Sequence, residues 1–201
     1  MKKTIGYIAP LSYALIAILM SLVYYVSLQF NIPFKEITGD PVLTFNAHPF
    51  TGIVSNIGIL LWCASCSILV FSYFVAKDNL PKKETFFLLY SGCITFLLLI
   101  DDLFMIHDYL LYSIGSNQYV MYTLYLILFI FYFIYFKDIL INLPYKPLFI
   151  LAFFFLGSSV GLDIVFKSEG LQYFIEDGLK LLGINSWFLF FTNYALLKLK
   201  S

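Results

Sequence analysis

Arginine is absent from this 201-residue chain, and charge of either sign is scarce: twelve lysines balance twelve carboxylates, and only 12% of residues are charged. An ordinary soluble domain carries about 25%. Without a basic surplus the chain has no electrostatic footprint for nucleic acid, and that class of partner is excluded. Cysteine is nearly missing too. Cys63, Cys66 and Cys93 all lie in apolar runs, where a thiol behaves as a small hydrophobe, so no disulfide framework is expected. The CASC run at 63–66 has redox spacing, but inside an apolar helix it reads as packing. No internal repeat is visible, and residues 1–201 read as one transmembrane domain.

What the chain does have is apolar length: 61% of it is hydrophobic and 20% aromatic. A helix needs about 20 apolar residues to cross the hydrocarbon of a bilayer. Six segments qualify, at 7–30, 53–76, 86–113, 119–136, 147–166 and 171–197, and the expected fold is an all-α polytopic bundle. The first run follows Lys2 and Lys3 as a signal peptide would. It is too long and lacks a small-residue cleavage site, so it reads as a retained helix. Lysines set the orientation, because positive charge stays on the cytoplasmic side. Lys2, Lys3, Lys77, Lys82, Lys83, Lys137, Lys146, Lys198 and Lys200 fall on one side of the six spans, against Lys35 and Lys167 on the other. Both termini are therefore expected in the cytoplasm, with the long 31–52 connection and its His48 outside.

Six of the twelve carboxylates interrupt these apolar stretches: Asp101, Asp102, Asp108, Asp163, Glu176 and Asp177. An ionisable group at the bilayer centre costs about 2.5–3.5 kcal/mol on insertion scales, so such residues mark a protein interior or a wet site. Counting along the expected helices puts all six, with His107, near the outer ends of spans three, five and six, within about two helical turns of one depth. At about 100° per residue, Asp101 and Asp108 share a stripe with Met105 and Tyr112, while Asp102 and His107 diverge to either side. All four converge on one centre only if the helix bulges or ends early. In span six, Lys180 is spaced to pair with Glu176 as a structural ion pair, and reaches Asp177 as well.

One lysine among six acids leaves a negative excess that a low dielectric does not tolerate, so protons, a metal ion or water must balance it. Carboxylates with an imidazole suit a divalent metal: Zn, Fe, Mn, Mg or Ca. On this reading Asp101, His107, Asp108 and Glu176 are metal ligands, and Asp102, Asp163 and Asp177 are catalytic carboxylates. Blander roles stand beside it. His107 also reads as a hydrogen-bonded interior histidine, and Asp102 and Asp163 as helix-end residues in water. His48 reads as a solvated loop residue, and Tyr109, Tyr112, Tyr119, Tyr122 and Tyr125 as interfacial belt and packing.

The segments LLLIDDLFMIHDYL (97–110), GSSVGLDIVF (157–166) and FIEDGLKLLGINSW (174–187) together resemble a group of uncharacterised bacterial multi-spanning proteins. In that group an acidic pair is followed after four residues by His and an acid, a later acid follows a small-residue run, and a third acidic cluster precedes Leu-Gly-Ile. The resemblance covers about the C-terminal half. It implies a shared fold, a bacterial inner (plasma) membrane location and a site at Asp101, Asp102, His107, Asp108, Asp163, Glu176 and Asp177, but no activity. This chain departs from the pattern in using Asp where Glu is usual, and in Lys180, where the similar proteins are usually acidic. The change replaces a potential ligand by a cation and weakens a two-metal reading. Intramembrane ceramidase-like hydrolases are a more distant comparison, since they carry histidines on late helices and this chain has none there.

Three functions fit these residues. The first is a metal-dependent membrane hydrolase or oxidase acting on a lipid or amphiphile at the outer leaflet. The second is a proton or cation translocator using the same acids. Its weakness is that the inner halves of spans three, five and six offer only Ser91, Cys93, Thr95, Thr192 and Asn193 as polar steps. The third is a non-catalytic subunit whose acids meet a basic partner.

Overall fold

The computed structural model describes residues 2–39, 41–106, 115, 119–165 and 171–200. Every regular element among them is helical: α1 (Lys2–Phe30), α2 (Phe34–Thr38), α3 (Pro41–Thr44), α4 (Ile53–Ala76), α5 (Lys82–Phe104), α6 (Tyr119–Asn142), α7 (Lys146–Val165) and α8 (Leu171–Lys200). Four of these, α4 to α7, are long and apolar enough to cross a membrane, and α1 adds an apolar stretch at Ile16–Phe30. With the composition, they make this a membrane protein.

Two compact units are present, Met1–Thr51 and Gly52–Ser201. In the first, α1 ends where Asn31 adopts a left-handed conformation (φ 53°), and the Ser27 hydroxyl donates to the Ile32 carbonyl at 2.6 Å to close the turn. The connection after α1 is thus partly helical, through α2 and α3. His48 is exposed and accepts a hydrogen bond from the Phe50 amide through Nδ1 at 3.2 Å.

In the second unit, α4 packs against both α5 and α8, and α7 packs along α8. Lipid supplies little hydrophobic drive between membrane helices, so close approach depends on small residues. Gly183 on α8 is one: a β-carbon there would stand 2.9 Å from the backbone nitrogen of Leu156 on α7. Gly92 on α5 is another, with Val70 of α4 at 3.2 Å from where its β-carbon would be. Between α5 and α8 the reverse holds. Among the described residues their backbones do not come together, and large side chains fill the space, with Phe87 at 4.9 Å from Tyr194 and 6.1 Å from Phe191, ring centre to ring centre. Trp187, Tyr132, Phe136 and Phe190 complete a fully buried aromatic core. Edge-on and offset ring pairs each add about 0.5–1.5 kcal/mol beyond the area they bury.

Hydroxyls inside these helices are mostly neutralised locally. Ser65, Thr95, Ser158 and Ser186 each donate to the carbonyl four residues earlier, at 2.7–2.8 Å. Cys66 sits 3.6 Å from the Gly92 carbonyl, a weak thiol contact between α4 and α5, and all three cysteines are free thiols.

The third expected span, 86–113, is not one continuous α-helix. Helix α5 ends at Phe104 because Met105 turns left-handed (φ 47°), a conformation a side chain of that size adopts only at some cost in energy. The straight stripe through Asp101, Met105, Asp108 and Tyr112 is therefore broken at its second member.

Candidate functional site

At the C-terminal end of α5, Asp101 and Asp102 point to different neighbours. Asp101 is buried, and its Oδ2 accepts a hydrogen bond of 2.8 Å from the Tyr125 hydroxyl on α6. Asp102 forms an ion pair with Lys180 of α8. One turn from Tyr125, Tyr122 donates to Oδ2 of Asp163 on α7 at 3.0 Å. Three polar links thus tie α7 to α6, α6 to α5 and α5 to α8, all at one end of the unit. The i,i+3 spacing of Tyr122 and Tyr125 puts both phenols on one face of α6. They act on the acids directly and are more than belt or packing residues, which the sequence reading missed. Their spacing beside two acid-bearing spans is the signal that would have found them.

A small cleft opens beside the ion pair. Its walls are Val54, Ser55 and Gly58 of α4, Asp102 of α5, and Asp177, Lys180, Leu181 and Ile184 of α8, and it has about 30 Å³ of room. That is enough for a water or a small ion. Asp102 is 9% exposed and Lys180 35%, so the pair is buried on its acidic side and open on its basic side. Asp177, half-buried in the same wall, makes no hydrogen bond or ion pair among the described residues. It is the spare carboxylate of the cleft.

The Lys180 partner seen here is Asp102, 78 residues away in sequence, a pairing that helical spacing alone does not reveal. Glu176, half-buried one turn before Lys180, also interacts with its surroundings. His107 and Asp108, two of the expected metal ligands, lie outside the described residues, as do Tyr109 and Tyr112. Among the described residues no three His, Cys, Asp or Glu side chains stand close enough to hold a metal ion.

The seam between α5 and α8 continues past the site with constant register. Asp102 meets Lys180. Seven residues on, the Trp187 indole N–H donates to the Thr95 hydroxyl at 3.1 Å. At the far end Lys198 pairs with Glu84 at 2.7 Å. The two residue numbers of each pair add to one constant, as an antiparallel register requires. Eighteen residues separate the charges on each helix, about 27 Å at ~1.5 Å per residue, close to the thickness of a bilayer's hydrocarbon core.

A family model described as Domain of unknown function (DUF8692) matches residues 11–194. The chain belongs to that family. No curated protein and no solved structure matches it. The DUF8692 match takes in the acidic end, the aromatic core and most of the seam, a wider span than the C-terminal motifs alone.

Proposed function

We propose that this DUF8692 chain is a six-span membrane protein with both termini in the cytoplasm, whose acidic end faces outward, binds a divalent cation and acts on a lipid or amphiphile at the outer leaflet. The lysine distribution supports the orientation. Helix α8 is not among the four helices apolar enough to cross a membrane on composition alone, yet 181–197 is uncharged and bracketed by two ion pairs a membrane's thickness apart. That stretch is the sixth span, and α1 is the first.

The observation that carries the site reading is the linkage of the α5 and α7 acids to α6 and to Lys180 of α8 at one end, with Asp177, unpaired among the described residues, in the same cleft as the Asp102–Lys180 pair. Such an end attracts a cation. The fit for a metal is incomplete among the described residues, so it rests on Asp101 and Glu176 acting with His107 and Asp108. When bound, the ion would polarise an ester or phosphoryl oxygen or lower the pKa of a bound water. The chain's own residues do the rest. Lys180 fixes Asp102, Tyr125 and Tyr122 hold Asp101 and Asp163 in place, and Asp177 is the carboxylate available to take a proton.

Metal analysis of the purified protein beside an Asp101→Asn/Asp108→Asn double variant tests this. The expected result is about one bound divalent ion per chain, lost in the variant, since ligands bind metal only when deprotonated. Equal and negligible metal in both overturns it.

A further inference from the structure

At the Glu84 end of the second unit, lysines outnumber the acids they meet. Short connections join α4 to α5 and α6 to α7 there, and the Lys83–Asp138 and Lys198–Glu84 pairs bring α6 and α8 to the same end as the start of α5. Lys77, Lys82, Lys137 and Lys146 stand near the ends of α4, α5, α6 and α7. All four are exposed, and their side chains make no hydrogen bond or ion pair among the described residues. Of the acids at this end, Glu84 and Asp138 are already paired, and Asp78 is exposed beside Lys77. Orientation in the membrane asks for lysines on one side, but for no particular surroundings. Here each of the four has the same surroundings. Three or four residues toward the middle of its own helix lies an exposed apolar side chain: Phe74 for Lys77, Phe86 for Lys82, Phe133 and Ile134 for Lys137, and Ile150 for Lys146. That spacing puts each charge and its apolar neighbour on one face. The Lys77 ammonium is accordingly 5.8 Å from the centre of the Phe74 ring.

We propose that this end is a belt of binding positions for phospholipids of net negative charge. At each position a lysine ammonium meets the headgroup phosphate, and the apolar side chain on the same face meets the upper acyl chain. The uncharged 181–197 stretch begins at this level, so the apolar members of the belt lie where acyl chains lie. A soluble anion would use the charges and leave those faces idle. A zwitterionic lipid brings its own cation, which cancels the attraction, whereas each lysine beside an anionic leaflet raises affinity about fivefold. The belt serves one leaflet whichever way the chain is oriented. It involves neither the acids of the opposite end nor a metal, so it stands or falls apart from the cation site.

The test is the full chain in phosphatidylcholine vesicles with a trace of spin-labelled phosphatidylglycerol or spin-labelled phosphatidylcholine, reading the share of each label immobilised at the protein surface. At low salt the glycerol label should be held several-fold more strongly than the choline label. At about 1 M salt, where charges are screened beyond about 3 Å, the two should converge. The Lys77→Gln/Lys82→Gln/Lys137→Gln/Lys146→Gln variant should lose most of the preference, while Lys35→Gln, an exposed lysine of the first unit, should keep it. Should the fourfold variant fail to fold, Lys77→Gln/Lys82→Gln and Lys137→Gln/Lys146→Gln should each lose part of it. Equal binding of the two labels by the wild type overturns the proposal, as does a preference that survives in all the folded lysine variants. Release of the label by glycerol phosphate, beyond what sodium chloride of equal ionic strength releases, also overturns it, because the positions would then serve a soluble anion.

Discussion

The two ends of the α5–α8 seam use the same device under different electrostatic conditions. At one end Glu84 and Lys198 pair with side-chain exposures of 24% and 19%, and nearby Lys83 pairs with Asp138 at 2.8 Å, so these two acids each have their own lysine. At the other, Lys180 is the one lysine of the described residues near Asp101, Asp102, Asp163, Glu176 and Asp177; tyrosine hydroxyls hold Asp101 and Asp163, and Asp177 lines a cleft. A balanced pair fixes helix register. An unbalanced one fixes register and also creates demand for a cation. The contrast is what the proposed cation site at the acidic end rests on.

The largest expected effect comes from taking Lys180 out of the acidic end. Lys180→Met strands Asp102, only 9% exposed, and should destabilise the fold by about 3–5 kcal/mol, as removing one partner of a buried pair does. Lys198→Met strands Glu84, which at 24% exposure is better solvated than Asp102, and should cost about half that or less. Thermal unfolding in detergent compares the two, and equal losses would erase the distinction between the ends. A middle-sized effect tests the tyrosine clamps. Tyr125→Phe withdraws a donor from buried Asp101 and should cost about 1–3 kcal/mol, more than Tyr122→Phe beside the half-buried Asp163. The reverse order would mean that Asp101 is satisfied without α6. The smallest effect is expected at Lys83, whose pair with Asp138 is exposed. Lys83→Met should leave the melting temperature unchanged within error, and a clear drop would show that the balanced end is more than a register mark.

Much of the helical layout was legible because it depends on local composition. The expected 53–76 span coincides with α4, whose flanks at Gly52 and Lys77 are marked in the sequence, and 147–166 and 171–197 match α7 and α8 to within a few residues. The 86–113 reading failed at Met105, since nothing in an apolar run announces a left-handed residue other than glycine. Depth counting placed the acids of spans three, five and six near one another in height. It could not assign their partners, because helical periodicity relates a residue only to positions three or four away. Helical spacing suggested Glu176 as a partner of Lys180, but it gave no sign of the pairing with Asp102 across the bundle. The tyrosines of α6 looked like membrane-interface residues for the same reason: their hydrogen bonds run to other helices.

Composition and periodicity alone determined that this chain makes long membrane helices, that acids interrupt three of them, and that Lys180 shares a helix with two of those acids. These are properties of each segment taken separately, set by transfer energy and the pitch of the helix. Only the tertiary structure decided which acid Lys180 neutralises, which acids the tyrosines hold, and that α5 and α8 run in register from one charged pair to the other. Those outcomes depend on how neighbouring helices rotate and slide against each other. Packing fixes that, through Gly183, Gly92 and the aromatic core, and no single segment encodes it.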